Sequence, residues 1–116
     1  MPSGFELTTD HYAALDANQA AIKTMRQYGE SKAKKEAAYN VALATKIAEL
    51  RTKGNPAGLC EKLAKGTKEV SEVYIAWQCE EALYTAAKEH VQLTKRRADA
   101  IRDQIQREYT QAGWRA

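Results

Sequence analysis

Cysteine, proline, histidine and phenylalanine are all scarce in this chain: two Cys, two Pro, two His and one Phe in 116 residues. Each shortage excludes something. Cys60 and Cys79 stand alone, with no CxxC spacing, so neither a zinc ribbon nor a disulfide-dense secreted scaffold can be built. Two reduced thiols in a cytosolic protein are the plain reading; a bridge from the bend to the second long helix is the other pairing the spacing allows. His11 and His90 occur in neither HExxH nor the ExxH repeat of di-iron bundles, and His90 has Ala87 three residues before it. GNPAG around Pro56 lacks the Lys-Ser/Thr of a phosphate loop, and no nucleophile elbow occurs. Catalytic, metal and cofactor sites are therefore expected to be none, and the chain is not expected to be an enzyme or to take a small-molecule substrate. With no signal peptide and no transmembrane run, a cytoplasmic protein that does not enter a membrane is expected.

Scarce proline leaves long uninterrupted stretches, because after Pro2 only Pro56 can stop a helix. Between Thr67 and Ala112, Val70, Trp77, Tyr84, Val91, Ala98, Ile105 and Ala112 recur every seven residues. Val73, Ala87, Thr94 and Ile101 fill the +3 positions, with Glu80 and Glu108 as polar interruptions. That is a heptad seam, the mark of a helix packed lengthwise on another. Such a helix would span about 65–70 Å.

Ahead of it, Pro2 and Gly4 predict an extended lead-in over residues 1–8, with Thr8, Thr9 and Asp10 offering caps to a first long helix over 9–53. Its apolar face reads from Tyr12 through Leu15, Ile22, Met25, Ala33, Ala37, Ala44 and Ile47, with Leu43 and Leu50 flanking. Gly29 sits inside it, where the helix either continues with a slight kink or breaks. Arg51 and Lys53 suit its last turn, Gly54 a left-handed C′ residue and Pro56 the stop. Residues 56–65 read as a short helix ended by Gly66, Thr67 as a cap for the second long helix over 67–112, and 113–116 as a tail.

The fold class is therefore all-α: one domain, an elongated antiparallel helical hairpin with a short helix at the bend and coiled-coil-like packing. If the two long helices meet directly at the bend, opposed residue numbers sum to about 120. Trp77 then faces Leu43, Tyr84 falls near Glu36, Val91 near Gly29, and Phe5 meets Trp114. Glu80, on the seam, would pair with Asn40 or Lys46 or fix the register.

The second long helix also carries an apolar stripe on another side: Ile75, Cys79, Ala82, Ala86, Leu93 and Ala100. One partner helix covers one stripe, so Ile75, Cys79, Ala82, Ala86 and Leu93 are the candidate partner-binding residues, for a second copy or another protein. Alanine supplies much of the 44% apolar content and buries little, so oligomerisation is the expected remedy for a thin core. The alternative is a nucleic-acid face. Lys95, Arg96 and Arg97 form the densest basic run, which that register sets beside Lys23 and Arg26, with Lys32, Lys34 and Lys35 near Lys88. Tyr28 and Tyr84 could stack the bases of a single strand beside such a band. Against it, Glu30, Glu36, Glu89, Asp99 and Asp103 interleave, and pairs such as Asp99 with Arg102 and Asp103 with Arg107 are ordinary surface chemistry. The formal charge of +3 permits an acidic partner without requiring one.

The segment LRTKGNPAGLCEKLAKGTKEV, preceded by AAYNVALATKIAE, resembles a family of small helical proteins from phages and prophages. In these a long helix ends in a glycine-containing turn, followed by a Leu/Ala-Lys-Gly segment and a valine-containing helix. The likeness covers about Glu36 to Tyr84. It implies an accessory role in phage DNA replication or recombination, in the bacterial cytoplasm, and supplies no catalytic residues. The expected function is thus a non-enzymatic helical adaptor or oligomerisation protein, with a nucleic-acid-binding accessory protein as the alternative. A helical-hairpin secretion substrate is disfavoured by the lack of a WxG bend.

Overall fold

A computed structural model describes the backbone of residues 4–115 and the side chains of residues 4–111. The described residues form three helices: α1 (Gly4–Thr52), α2 (Ala57–Lys65) and α3 (Lys68–Arg115). The two long helices pack antiparallel with the short one between them, so the chain is an all-α hairpin. Its contacts divide into two units. A terminal unit joins residues 1–26 to 86–116, and a bend unit comprises residues 27–85.

Helix α1 starts earlier than expected. Residues 5–8 are helical rather than an extended lead-in. The Thr8 hydroxyl donates to the Gly4 carbonyl (2.8 Å) and the Thr9 hydroxyl to that of Phe5 (3.0 Å), so both act inside the helix instead of capping it. Burial drives the extension: Leu7 is 3% exposed, and only a helical first turn puts it in line with buried Ala14 and Ala21. At the other end α3 runs past the expected stop at Gly113 to Arg115, since one glycine costs a helix only about 1 kcal/mol against alanine. The expected meeting of Phe5 with Trp114 falls outside the described residues.

The bend is built as its residue types require. Gly54 takes φ +92° at C′, its N–H donates to the Arg51 carbonyl and the Asn55 N–H to that of Leu50, a Schellman closure of α1. The Asn55 side chain donates to the same Leu50 carbonyl, and the Cys60 thiol to the carbonyl of Pro56. Thr67 starts α3 through its carbonyl, which accepts from Ser71 N–H, but its hydroxyl turns back to Ala64 O (2.7 Å) and ties α2 to α3 rather than capping. Lys53 donates to Glu49 and holds that carboxyl below its ordinary 4.5, so this surface pair adds its small stabilisation above that value and loses it on acidification.

Every seam position of α3 from Val70 to Glu108 is buried or half-buried, Val70, Ala87 and Ala98 most deeply. The facing stripe of α1 differs from the expected one. Leu15, Ala33, Ala37 and Ala44 are exposed, and Leu7, Ala14, Ala21 and Tyr39 are buried instead. An alanine-rich helix offers near-equivalent faces, and the aromatic, valine and isoleucine side chains of the α3 seam select among them. The α1 seam steps by four and three residues except at Tyr28, Lys32 and Glu36, where two steps of four follow one another. That stutter locally unwinds the pairing and coincides with Gly29, through which α1 continues as helix.

Opposed residue numbers sum to 116 at Trp77–Tyr39, 113 at Tyr84–Gly29 and 112 at Thr94–Asn18, so the register falls four to eight residues short of the expected one. Tyr84 lies over Gly29, where an added Cβ would come within 3.1 Å of its ring, rather than centring on Glu36. Trp77 stacks on Tyr39, not Leu43, and the Val91 carbonyl takes a hydrogen bond from Asn18. The slide keeps the same seam residues of α3 inward and drifts across the α1 stutter, so the α3 pattern alone could not exclude it. It leaves the last two turns of α1 to be covered by the bend, where Cys60 and Ala64 of α2 are fully buried.

Candidate interaction surfaces

In the bend unit, a Tyr39–Tyr74–Trp77 cluster closes the seam. Tyr39 stacks on Trp77 with ring centroids 5.3 Å apart, and Tyr74 meets Trp77 edge-on at 6.0 Å. One turn along, Glu80 is half-buried and its Oε2 has no hydrogen-bond partner; the same holds for Trp77 Nε1. The expected pairing of Glu80 with Asn40 or Lys46 does not form. Asn40 is exposed, Lys46 pairs with Glu49 at 3.6 Å, and the shifted register carries both away from Glu80.

With the seam facing inward, the second stripe of α3 faces out. In the bend unit Ile75 is 60% exposed, Cys79 and Ala82 are exposed, and Leu83, which the sequence reading did not include, is 44% exposed. Leu83 could have been noticed, since it lies eight residues after Ile75, roughly 80° around the helix. In the terminal unit Ala86 and Ala100 are exposed and Leu93 is 61% exposed. Tyr12, expected on the apolar face of α1, is 64% exposed there, Phe5 is exposed too, and so is Tyr109, which the sequence reading did not include.

The basic residues are not gathered as expected. In the terminal unit Asn18 lies 2.9 Å from Thr94, so the run Lys95–Arg97 stands beside Asp16, Ala17 and Asn18 rather than beside Lys23 and Arg26. All five of these cations are exposed, and none makes an ion pair among the described residues. Asp99 and Asp103 both approach Arg102, at 3.6 and 3.7 Å, so Asp103 pairs there and not with Arg107. Lys88 is exposed on the same unit. In the bend unit Lys34 and Lys35 are exposed, but Lys32 is half-buried and committed: its ammonium lies 3.9 Å from Glu81 and 5.2 Å from the Tyr84 ring centroid.

Neither cysteine is bonded; Cys60 is buried and Cys79 exposed. His11 is half-buried and His90 exposed, and among the described residues no three His, Cys, Asp or Glu side chains gather as a metal site. No described helix is long and apolar enough to cross a membrane. A hollow of about 260 Å³ in the bend unit is lined by Tyr39, Lys65, Val70, Ser71 and Tyr74, below the usual range of small-molecule pockets. Comparison with protein-family models, curated proteins and solved structures yields no match, so these surfaces stand on their own chemistry.

Proposed function

We propose that the chain is a non-enzymatic helical adaptor that self-associates or engages a protein partner through the outer face of α3. The observation that supports this is the pair Ile75 and Leu93, each about three-fifths exposed, on a helix whose other apolar stripe is already covered by α1. Burying such side chains is favourable by about 1.5–3 kcal/mol each, which a partner can supply and the monomer does not. The phage resemblance would set this adaptor among accessory proteins of DNA replication or recombination. Replacing both Ile75 and Leu93 with Glu is expected to leave far-UV helicity unchanged while sedimentation shows assembly lost. Unfolding of that variant would mean the stripe belongs to the core, and the reading would fall.

A second reading, a nucleic-acid accessory protein, is favoured by Lys23, Arg26, Lys95, Arg96 and Arg97 all lacking ion pairs in the terminal unit. Titrating a fluorescent single-stranded oligonucleotide over a salt series, with Arg96 and Arg97 changed to Glu, tests it. Binding should weaken and the slope of log affinity on log salt should fall by about 0.7 per phosphate contact removed. Unchanged affinity in the variant would take these residues out of consideration.

A further inference from the structure

We infer that the partner on the bend-unit face of α3 is a second copy of this chain, packed antiparallel about a two-fold axis at Cys79. This rests on the adaptor reading above and names its occupant. Side chains along this face are arranged symmetrically about Cys79: Ile75, Cys79, Ala82 and Leu83 are exposed and Ala76 is half-buried. Ile75 and Leu83 lie four residues to either side of it, about 40° either way around the helix, and Ala76 and Ala82 lie three residues to either side, about 60° either way. A two-fold axis through Cys79 therefore sets Ile75 of each copy against Leu83 of the other, and Ala76 against Ala82. Such an isologous interface needs a patch complementary to itself, which this one is. The small side chains at the centre let the two backbones approach, and the two large ones flank them as knobs. No charged side chain lies between Ile75 and Cys79 on this face; Glu72, one turn before Ile75 on the same side of α3, is exposed and pairs with Lys68 at 4.0 Å. Glu81, the adjacent carboxylate, is turned to Lys32 at 3.9 Å, and Glu80 is on the inward seam.

Surface area points the same way. The chain exposes 8623 Å², against about 6300 Å² expected for a folded monomer of its 13.0 kDa. The surplus exceeds the roughly 800 Å² that each partner contributes to a standard interface. Among the described residues five of the nine buried apolar ones are alanines, so the internal core is thin, and a second copy adds the burial that it lacks.

The test uses the full chain. Reduced protein is expected to sediment at twice 13.0 kDa, and Ile75→Glu or Leu83→Glu to return it to 13.0 kDa with helicity intact. Cys60 is 0% exposed, so Cys79 is the reachable thiol, and a mild oxidant should link two copies through it. The decisive arm places single cysteines in a Cys79→Ser background, one protein carrying Ile75→Cys and another Leu83→Cys. Mixed, the two should cross-link; alone, neither should, because like positions are about 12 Å apart along an antiparallel pair, beyond disulfide reach. Self-linking by each variant alone would mean parallel packing and overturn the inference. A mass of 13.0 kDa at the highest soluble concentration would overturn it too. In that case the broader adaptor reading survives if the Ile75→Glu, Leu93→Glu protein stays folded, and both fall if it does not.

Discussion

Replacing Trp77 with alanine is expected to destabilise the hairpin by about 3 kcal/mol or more, the range for deleting a large aromatic side chain from a packed site. The indole is the centre of the only three-ring cluster among the described residues, stacked on Tyr39 at 26° and edge-on to Tyr74 at 85°. Tyr39 is the largest of the buried apolar residues, and with Trp77 gone one face of its ring opens to solvent. Urea unfolding followed by far-UV circular dichroism measures the change directly, and a loss below about 1 kcal/mol would mean that the cluster is not packed as described. Trp77→Phe separates two contributions. It keeps most of the stacking surface and removes Nε1, a buried donor without a partner, so it should cost far less than alanine.

Glu80→Leu is expected to move stability in the opposite direction, upward by about 1–3 kcal/mol. Glu80 occupies a seam position of α3, and its Oε2 is buried without a hydrogen bond. In a two-helix seam an unmet carboxylate oxygen carries its desolvation cost with no return, whereas leucine there joins the apolar row of Val73, Trp77 and Ala87. The same urea experiment reads the midpoint, with an unchanged slope confirming that the folded state is as compact as before. A fall in stability would show that Glu80 has a partner in solution that offsets its burial. Glu80→Gln serves as the control: it keeps the shape and an unmet polar atom, so it should recover little of the gain.

Both predictions concern α3 seam residues whose inward position was legible in the sequence and whose partners across the seam were not. The α3 seam was legible because large side chains, Val70, Trp77, Tyr84, Val91 and Ile105, mark it at seven-residue intervals against a background of alanine and charge. The matching face of α1 was not, because alanines at Ala13, Ala14, Ala17, Ala20 and Ala21 fit several faces about equally. What chose among them was a set of long-range contacts: Leu7 tucked against α3, Asn18 bonded to Thr94, and Gly29 beneath Tyr84. None of these has a local signature. Asn18 in particular reads as one more polar surface residue until its side chain is seen donating across the seam to Thr94 and the Val91 carbonyl.

The candidate surfaces divide in the same way. Exposure of Ile75 and Leu93 followed from helical periodicity, since a stripe far from the seam must point away from the partner helix. The grouping of the cations did not, because it depended on a register that periodicity leaves undetermined. By itself, the sequence determined the helical class, the closure of α1 at Gly54 and the inward seam of α3. These depend on local backbone preference and on a period that only one kind of element satisfies. Tertiary structure alone decided the inward face of α1, the register and the neighbours of each charge. A heptad seam fixes which face of α3 turns inward but not how far α1 slides along it, and only the size and shape of side chains meeting across it, Tyr84 over Gly29 and Trp77 on Tyr39, distinguish one register from the next.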